Sequence, residues 1–517
     1  GNKHTLSGRY ATKNWMIWSN SSVMKSDSEL SNSSFSRSQN RSSYKLGKNW
    51  IGATVNLEDN SEKLKTTNTF SALSQRFIEY GAFVGRGDST KVFVELGFLQ
   101  RQNDSLQNNR IDRVNHSNSY YLKSQLIKTE KSNLSVFLNY RTLKYEDSNL
   151  KDEPSLNSRI LYSDRFFGQL LQTTTAYETS SGTIAQQEFT YLQVEPGQGV
   201  YMWNDYNGNG IQELQEFEIA PYPDLAIYVR VFLPNQVFVR THQNKFSQSV
   251  NINFNQWQNE KGFKKFASHF YNQTSFLIDR KIRRNGSNFD LNPFSKEEEA
   301  LIGLNTNFRS SLFFNRGKQH HSTTYSFLFN ESQNLLSVGS VSAKNLSHQL
   351  QYQHLVDKSW LFNFSGSKTL TNSTSENYPT RNFEIDSYQI EPKIGYLFSK
   401  NASWDIFYEF QQKENKIGAF EILKQTRLGT SFTFNSEKGF SMNGEFSMYN
   451  NLYDGNALSA VGFQMLEGLQ PGKNQTWRLL LQKNLTQFLD LNINYQGRNS
   501  ETSKTIHTGN VQLRAFF

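Results

Sequence analysis

The final hairpin, Lys483 to Phe517, constrains the chain most. From Leu489, one set of alternate positions reads Leu489, Leu491, Ile493, Tyr495 and Gly497, and the other reads Asp490, Asn492, Asn494, Gln496 and Arg498. Only an extended strand separates two such sets onto opposite faces. The closing strand repeats the pattern, with Gly509, Val511, Leu513, Ala515 and Phe517 against Thr508, Asn510, Gln512 and Arg514. Upstream, Phe246, Gln248, Val250, Ile252 and Phe254 oppose Ser247, Ser249, Asn251, Asn253 and Asn255. Trp404, Ile406, Tyr408 and Phe410 oppose Asp405, Phe407, Glu409 and Gln411, and Leu134, Val136, Leu138 and Tyr140 oppose Ser135, Phe137, Asn139 and Arg141. A dry core would reject the amides and charges of the second sets, whereas a wet lumen accepts them.

Composition then excludes most alternatives. The 517 residues contain no apolar run of the roughly 18 to 20 residues that a membrane-crossing helix needs. The mean hydropathy of −0.67 is compatible with transmembrane strands, which need about 9 to 11 residues with apolar side chains at alternate positions only. Aromatic residues make up 14% of the chain, enough to furnish interfacial girdles. Trp50, Trp360 and Trp404 directly follow short turns and Trp257 directly precedes one, which predicts a single ring at a membrane interface. A soluble antiparallel sandwich would also alternate, but it gives no reason for that placement. Cysteine is absent, so disulfides, thiolate metal sites and thiol nucleophiles are excluded. The net charge of +9 is scattered among Asn and Ser rather than gathered in a basic stripe, which argues against a nucleic-acid partner.

Short polar turns recur at Gly47 to Asn49, Arg86 to Ser89, Lys128 to Asn133, Ser180 to Gly182, Asn259 to Gly262, Arg316 to Lys318, Asp357 to Ser359, Lys400-Asn401, Ser436 to Gly439 and Asn484 to Gln487. Longer polar linkers lie between them, at Asn103 to Asn115, Asp147 to Leu156 and Lys281 to Glu299. Short turns at one rim and long loops at the other predict one transmembrane antiparallel β-barrel over residues 1–517, with about 22 strands (20 to 24). A lumen that wide needs an occupant: an upstream segment, an inward-folded loop or a partner protein. The alternation begins within the first ten residues, so a plug is expected outside this chain; the opening GNKHTLSGRY is no export signal, which is expected upstream or already removed.

One stretch breaks the period. Between Gln193 and Gln236 the chain inserts roughly 40 residues, read as an extracellular insertion over 194–236. Within it Asp205, Asn207, Asn209, Gly210 and Glu216 match D-x-[DN]-x-[DN]-G-x5-E at every specified position. That spacing supplies hard oxygens for a structural Ca²⁺: the side chains of Asp205, Asn207, Asn209 and Glu216, the Ile211 carbonyl, and Glu213 directly or through water. An Asn/Gly turn without metal is the simpler reading of the same residues. Pro196, Pro221 and Pro223 bracket the stretch, so an EF-hand helix pair is not expected.

Other chemistry is sparse. No phosphate-binding G-x-x-x-x-G-K-[ST], H-E-x-x-H or G-x-S-x-G motif occurs, and the chain is not expected to be an enzyme. His320-His321 reads as an exposed pair. Arg280, Lys281, Arg283 and Arg284, at a strand end and loop, read either as a contact for anionic lipopolysaccharide at the outer surface or equally as a solvated loop. The apolar segment Ala457 to Trp477 should fold into the lumen or against a partner.

A terminal strand ending on Phe resembles the strand that closes bacterial outer-membrane barrels. The WNDYNGNGIQELQEFE and MLEGLQPGKNQTW stretches and the VQLRAFF end are similar to C-terminal barrel regions of large outer-membrane proteins of the Bacteroidota. The resemblance implies the bacterial outer membrane, with lipid, lipopolysaccharide and other outer-membrane or surface proteins as partners. It also implies a non-enzymatic barrel subunit of a multi-protein complex for protein secretion, outer-membrane protein assembly or transport; the alternative is a TonB-dependent import barrel whose plug lies upstream.

Overall fold

In the computed structural model, residues 1–515 are described apart from Ser89, Ser148, 186–187, 234–237, Asn285, 296–299, Gln319, 337–338, 437–438 and Gln487. The expected turn tips at Ser89, Glu437-Lys438 and Gln487, the end of the 194–236 insertion and the terminal Phe517 therefore lie outside the described residues.

The strands run in chain order as β1 (Asn2–Ala11), β2 (Trp15–Asp27), β3 (Ser31–Leu46), β4 (Asn49–Leu64), β5 (Gln75–Gly87), β6 (Phe93–Gln107), β7 (Arg110–Lys128), β8 (Asn133–Tyr145), β9 (Glu153–Phe166), β10 (Leu171–Ala185), β11 (Glu188–Gln193), β12 (Tyr201–Trp203), β13 (Phe217–Ile219), β14 (Tyr228–Leu233), β15 (Phe238–Asn253), β16 (Phe270–Arg283), β17 (Leu301–Phe314), β18 (His321–Leu336), β19 (Gly339–Val356), β20 (Trp360–Ser375), β21 (Phe383–Ser399), β22 (Ala402–Asn415), β23 (Ile422–Ser436), β24 (Phe440–Asp454), β25 (Gly472–Thr486), β26 (Leu489–Ser500) and β27 (Ser503–Ala515). Two short helices interrupt them, α1 (Phe263–Ala267) and α2 (Ala460–Leu466). Among the described residues, 23 strands belong to one sheet and four, β11 to β14, to a second. The large sheet's strands run from the 10 residues of β1 to the 19 of β7, long enough to cross a bilayer, and among the described residues no helix is long and apolar enough to do so. The fold class is the expected one, an all-β transmembrane antiparallel barrel chain.

The chain divides into two compact units, the first holding 1–184, 239–248 and 278–300, the second 185–238, 249–277 and 301–517. In the first, β1 to β10 pair successively as antiparallel hairpins. Ile51, Val55 and Leu57 of β4 are exposed on one face, in register with exposed Tyr80 and Val84 of β5 and Leu96 and Phe98 of β6. The opposite face is polar and cross-linked. Glu95 accepts hydrogen bonds there from Arg41 Nη2 (3.0 and 2.9 Å), Trp50 Nε1 (3.0 Å) and Tyr121 Oη (3.2 Å).

That contact corrects the expected Trp ring. Trp404 and Trp360 do stand exposed on apolar faces, but Trp50 alternates with Ile51 and points to the polar face, where its indole covers Gly85. Two turns are also displaced. Ser180 to Gly182 lies inside β10, and the reversal comes earlier, at Phe167, Gly168 and Gln169, all with positive φ. Asn103 to Asn115 is not a long linker: β6 and β7 continue through it to a tight Asn108-Asn109 turn, both residues left-handed.

In the second unit β17 to β27 form a continuous run of antiparallel hairpins. Trp404, Ile406, Tyr408 and Phe410 are exposed while Phe407 and Glu409 are buried, as the alternation requires. Arg427 bridges Glu409 (3.3 Å) and Glu445 (2.5 Å) on the polar face.

Candidate functional site

The site is the 188–233 insertion where it meets the polar face of the second unit, the face that lines the lumen of a barrel. Its four strands make a small sheet in the order β11, β14, β12, β13. Alternation again sets the faces: Phe189, Phe217 and Tyr228 are buried, and Tyr191 stacks on Phe217 with ring centroids 4.0 Å apart. The apolar stretch expected to dock, Leu225 to Leu233, becomes β14 and pairs with β11 from Tyr228 to Leu233.

Two ion pairs fasten this sheet. Arg381, in the β20–β21 loop, reaches Glu218 Oε1 at 2.5 Å and also donates to the Gln215 carbonyl. Arg498, from the polar set of β26, binds both oxygens of Asp224. Burial holds the Glu218 carboxyl above the usual carboxylate range despite Arg381, and it pushes the Tyr206 hydroxyl, 3.2 Å from Glu218, well up too. The Arg498 hydrogen bonds hold Asp224 low.

The apolar segment after β24 takes the inward of its two expected positions. Val461, Met465 and Leu466 of α2 bury against Ile385 and Leu423, on the polar-face side of β21 and β23. Lys413, itself buried, donates to the Met465 carbonyl at 2.9 Å and pairs with Glu467. Gly468, at φ 79°, lies so close to the insertion that a Cβ there would be 2.4 Å from Pro221 Cγ. Between the insertion, α2 and the β20–β21 loop remains a cavity of about 270 Å³, lined by Tyr191, Phe217, Glu218, Arg230, Arg381 and Gln464 among others.

The sequence-predicted metal residues share one loop. Asp205 accepts from the amides of Gly208, Asn209 and Gly210, Asn207 from Asn209, and Asn209 from Ile211. Glu213 accepts from Asn207 Nδ2 at 2.9 Å. Glu216 is buried and ties the loop ends, accepting from Trp203 Nε1 (2.8 Å) and Tyr206 N (3.2 Å). The donors are all oxygens, which suits a hard cation. Among the described residues no three His, Cys, Asp or Glu gather in a metal-holding arrangement, so the set depends on Asn and backbone oxygens.

Part of the basic tetrad at the β16 end is used internally. Arg280 is buried and pairs with Asp290 at 2.6 Å, and the Arg284 guanidinium lies 4.5 Å from the Phe289 ring centroid. Sequence reasoning missed Glu218, Asp224, Arg381, Lys413 and Arg498 as a set, because each acquires its role from a residue far along the chain.

No family model and no curated protein matches the chain. Solved structures do. The FrpB iron transporter from Neisseria meningitidis aligns at 9% identity and TM-score 0.34, over 95% of this chain and 77% of that one. A ferric enterobactin receptor (PfeA) from Pseudomonas aeruginosa aligns at 8% identity and TM-score 0.36, over 96% and 74%. BauA, the ferric preacinetobactin receptor from Acinetobacter baumannii, aligns at 10% identity and TM-score 0.35, over 99% and 75%. At these scores the likeness adds nothing to what the strands themselves establish.

Proposed function

We propose that the chain is the barrel of an outer-membrane import receptor, a wall through which a solute crosses and whose own insertion narrows the passage. The supporting observation is the anchoring of the 188–233 sheet on the polar face by Arg381–Glu218 and Arg498–Asp224, enclosing a cavity with charged and aromatic walls. A surface built only to meet other proteins would gain nothing from anchoring its insertion on that face. The second reading, a wall subunit of a secretion or assembly machine, is favoured by exposed Leu192, Phe232 and Leu233 on the insertion and Leu458 beside it. Purification from native membranes and single-channel conductance together separate the two. Import predicts a chain without stoichiometric wall partners whose conductance rises when Arg381 and Arg498 are both replaced by Ala. A stable complex and an unchanged conductance would overturn it.

We propose further that the Asp205 to Glu216 loop holds one structural Ca²⁺ through Asp205, Asn207, Asn209, the Ile211 carbonyl and Glu216, with Glu213 direct or through water. The cation would draw the oxygens of one loop onto a common centre, and it supplies no reaction chemistry. Asn at the third and fifth positions keeps ligand charge low, which suits millimolar supply outside the cell.

A further inference from the structure

The Asn259 to Gly262 turn expected between β15 and β16 is the middle of a much longer connection, Phe254 to His269, with a 3₁₀ turn over Phe254–Trp257 and then α1. Described connections at this end of the unit's strands, Asp357 to Ser359 and Lys400-Asn401, are brief reversals. The extra length carries FNQWQNEKGFKKFASH, with Lys261, Lys264 and Lys265 against one acid, Glu260. Phe263 and Phe266, three apart on α1, are 78% and 53% exposed, a costly arrangement for two benzyl groups in water.

Their direction identifies the surroundings. Phe266 packs on Phe270 (5.3 Å between centroids) and Phe314 (6.4 Å), and Phe270 packs on Phe314 (5.1 Å). Phe314 alternates onto the same face as Leu312, which opposes Tyr325, and both of these are exposed on the apolar side of the wall. Phe266 at the foot of the hairpin thus continues the apolar side of the wall, and exposed Phe263, Lys261, Lys264 and Lys265 stand beside it along the chain.

We infer that Phe254 to His269 is an interfacial anchor, laying Phe263 and Phe266 into the boundary between acyl chains and headgroups and setting Lys261, Lys264 and Lys265 on anionic phospholipid phosphates. Charge complementarity names the occupant: three cations flank an aromatic pair within six residues, the composition of membrane interfaces generally. The inference rests on the outer-membrane reading of the fold.

The chain has no cysteine, so single-cysteine labelling tests both. Full-length Phe263→Cys and, as a reporter on the wall, Leu428→Cys are labelled with an environment-sensitive fluorophore. Each is then reconstituted in vesicles of phosphatidylcholine with or without phosphatidylglycerol. Leu428, on the exposed apolar face of β23, reports the membrane reading itself. The anchor predicts that headgroup-linked nitroxide quenches the 263 label at least twofold more than aqueous iodide does. Replacing Lys261, Lys264 and Lys265 by Glu should reverse that order in the anionic vesicles. If the 428 label responds to lipid but the 263 label answers only to iodide, the foot stands free in water and offers itself to a protein, and the anchor is wrong. If the 428 label also answers only to iodide, the membrane reading falls and takes the anchor with it.

Discussion

Arg498 grips Asp224 with both arms of its guanidinium, Nη1 to Oδ1 at 2.6 Å and Nη2 to Oδ2 at 2.7 Å, across 274 residues of sequence. Side-chain exposures of 17% and 21% leave the pair only partly screened, and Tyr222 covers the guanidinium at 4.1 Å. Arg498→Ala strands a half-buried carboxylate, so docking of the insertion should weaken by about 1 to 3 kcal/mol. Limited proteolysis of 188–233 reads this directly. Adding Asp224→Ala should cost less than the sum of the single changes, and strict additivity would show the pair to be idle.

Acid should release the insertion late. Asp224 is held low by Arg498, so its contribution is complete above its unfolded value and disappears as pH falls through its lower folded one, below about pH 4. Glu218 has the opposite sign: burial raises it, so folding favours its proton, and that contribution is present at low pH and lost as pH rises through the folded value. Passing from pH 6 to pH 5 should therefore release nothing, since Asp224 stays ionised there and any proton that Glu218 gains favours the docked state. Release beginning near pH 5.5 would contradict the Asp224 latch.

Trp50 and Trp404 should respond differently to the same change. Trp50→Phe removes one of the donors to buried Glu95, for about 1 kcal/mol and a lower unfolding midpoint in detergent. Trp404 stands on the apolar face, where its indole donates to Thr430 Oγ1, a partially exposed hydroxyl, and its replacement by Phe should shift the midpoint less. Gly85→Ala is the harsher test, since the new methyl would sit 2.1 Å from Trp50 Cε2 and force a shift worth about 1 to 3 kcal/mol. Equal midpoints for all three would place Trp50 elsewhere.

For calcium, Trp203 provides the probe, because its indole donates to Glu216 at 2.8 Å. Tb³⁺ replacing Ca²⁺ should give indole-sensitised emission that Ca²⁺ quenches and that Asp205→Ala abolishes. EGTA should raise cleavage within 205–216. Emission that survives Asp205→Ala would mean the loop is a hydrogen-bonded turn and nothing more.

Period-two alternation was legible in the sequence because one face meets lipid and the other water, so each strand carries its own evidence. Leu489 to Arg498 shows this at its clearest. Trp50 was misplaced because closeness to a turn fixes a residue's height on the wall but not its face, which parity with Ile51 decides. The reversal at Phe167 was hidden because an aromatic and a glutamine take left-handed conformations there, whereas Ser180 to Gly182 look like a turn and are strand. The calcium motif is local and readable; the latch is not. Nothing near Asp224 announces Arg498, and nothing near Glu218 announces Arg381.

The latch also sets an order of events. The insertion precedes β15, yet one of its two ion-pair anchors is on β26, twelve strands after its own β14. Such a contact has to wait for almost every other strand to be in place, which makes it among the slowest to form. A chain caught before β26 is seated has its insertion held by the Arg381–Glu218 pair and the packing at Gly468, without the Arg498 latch. Such an intermediate differs from the finished fold in one checkable respect, an insertion open to protease before β26 is in place.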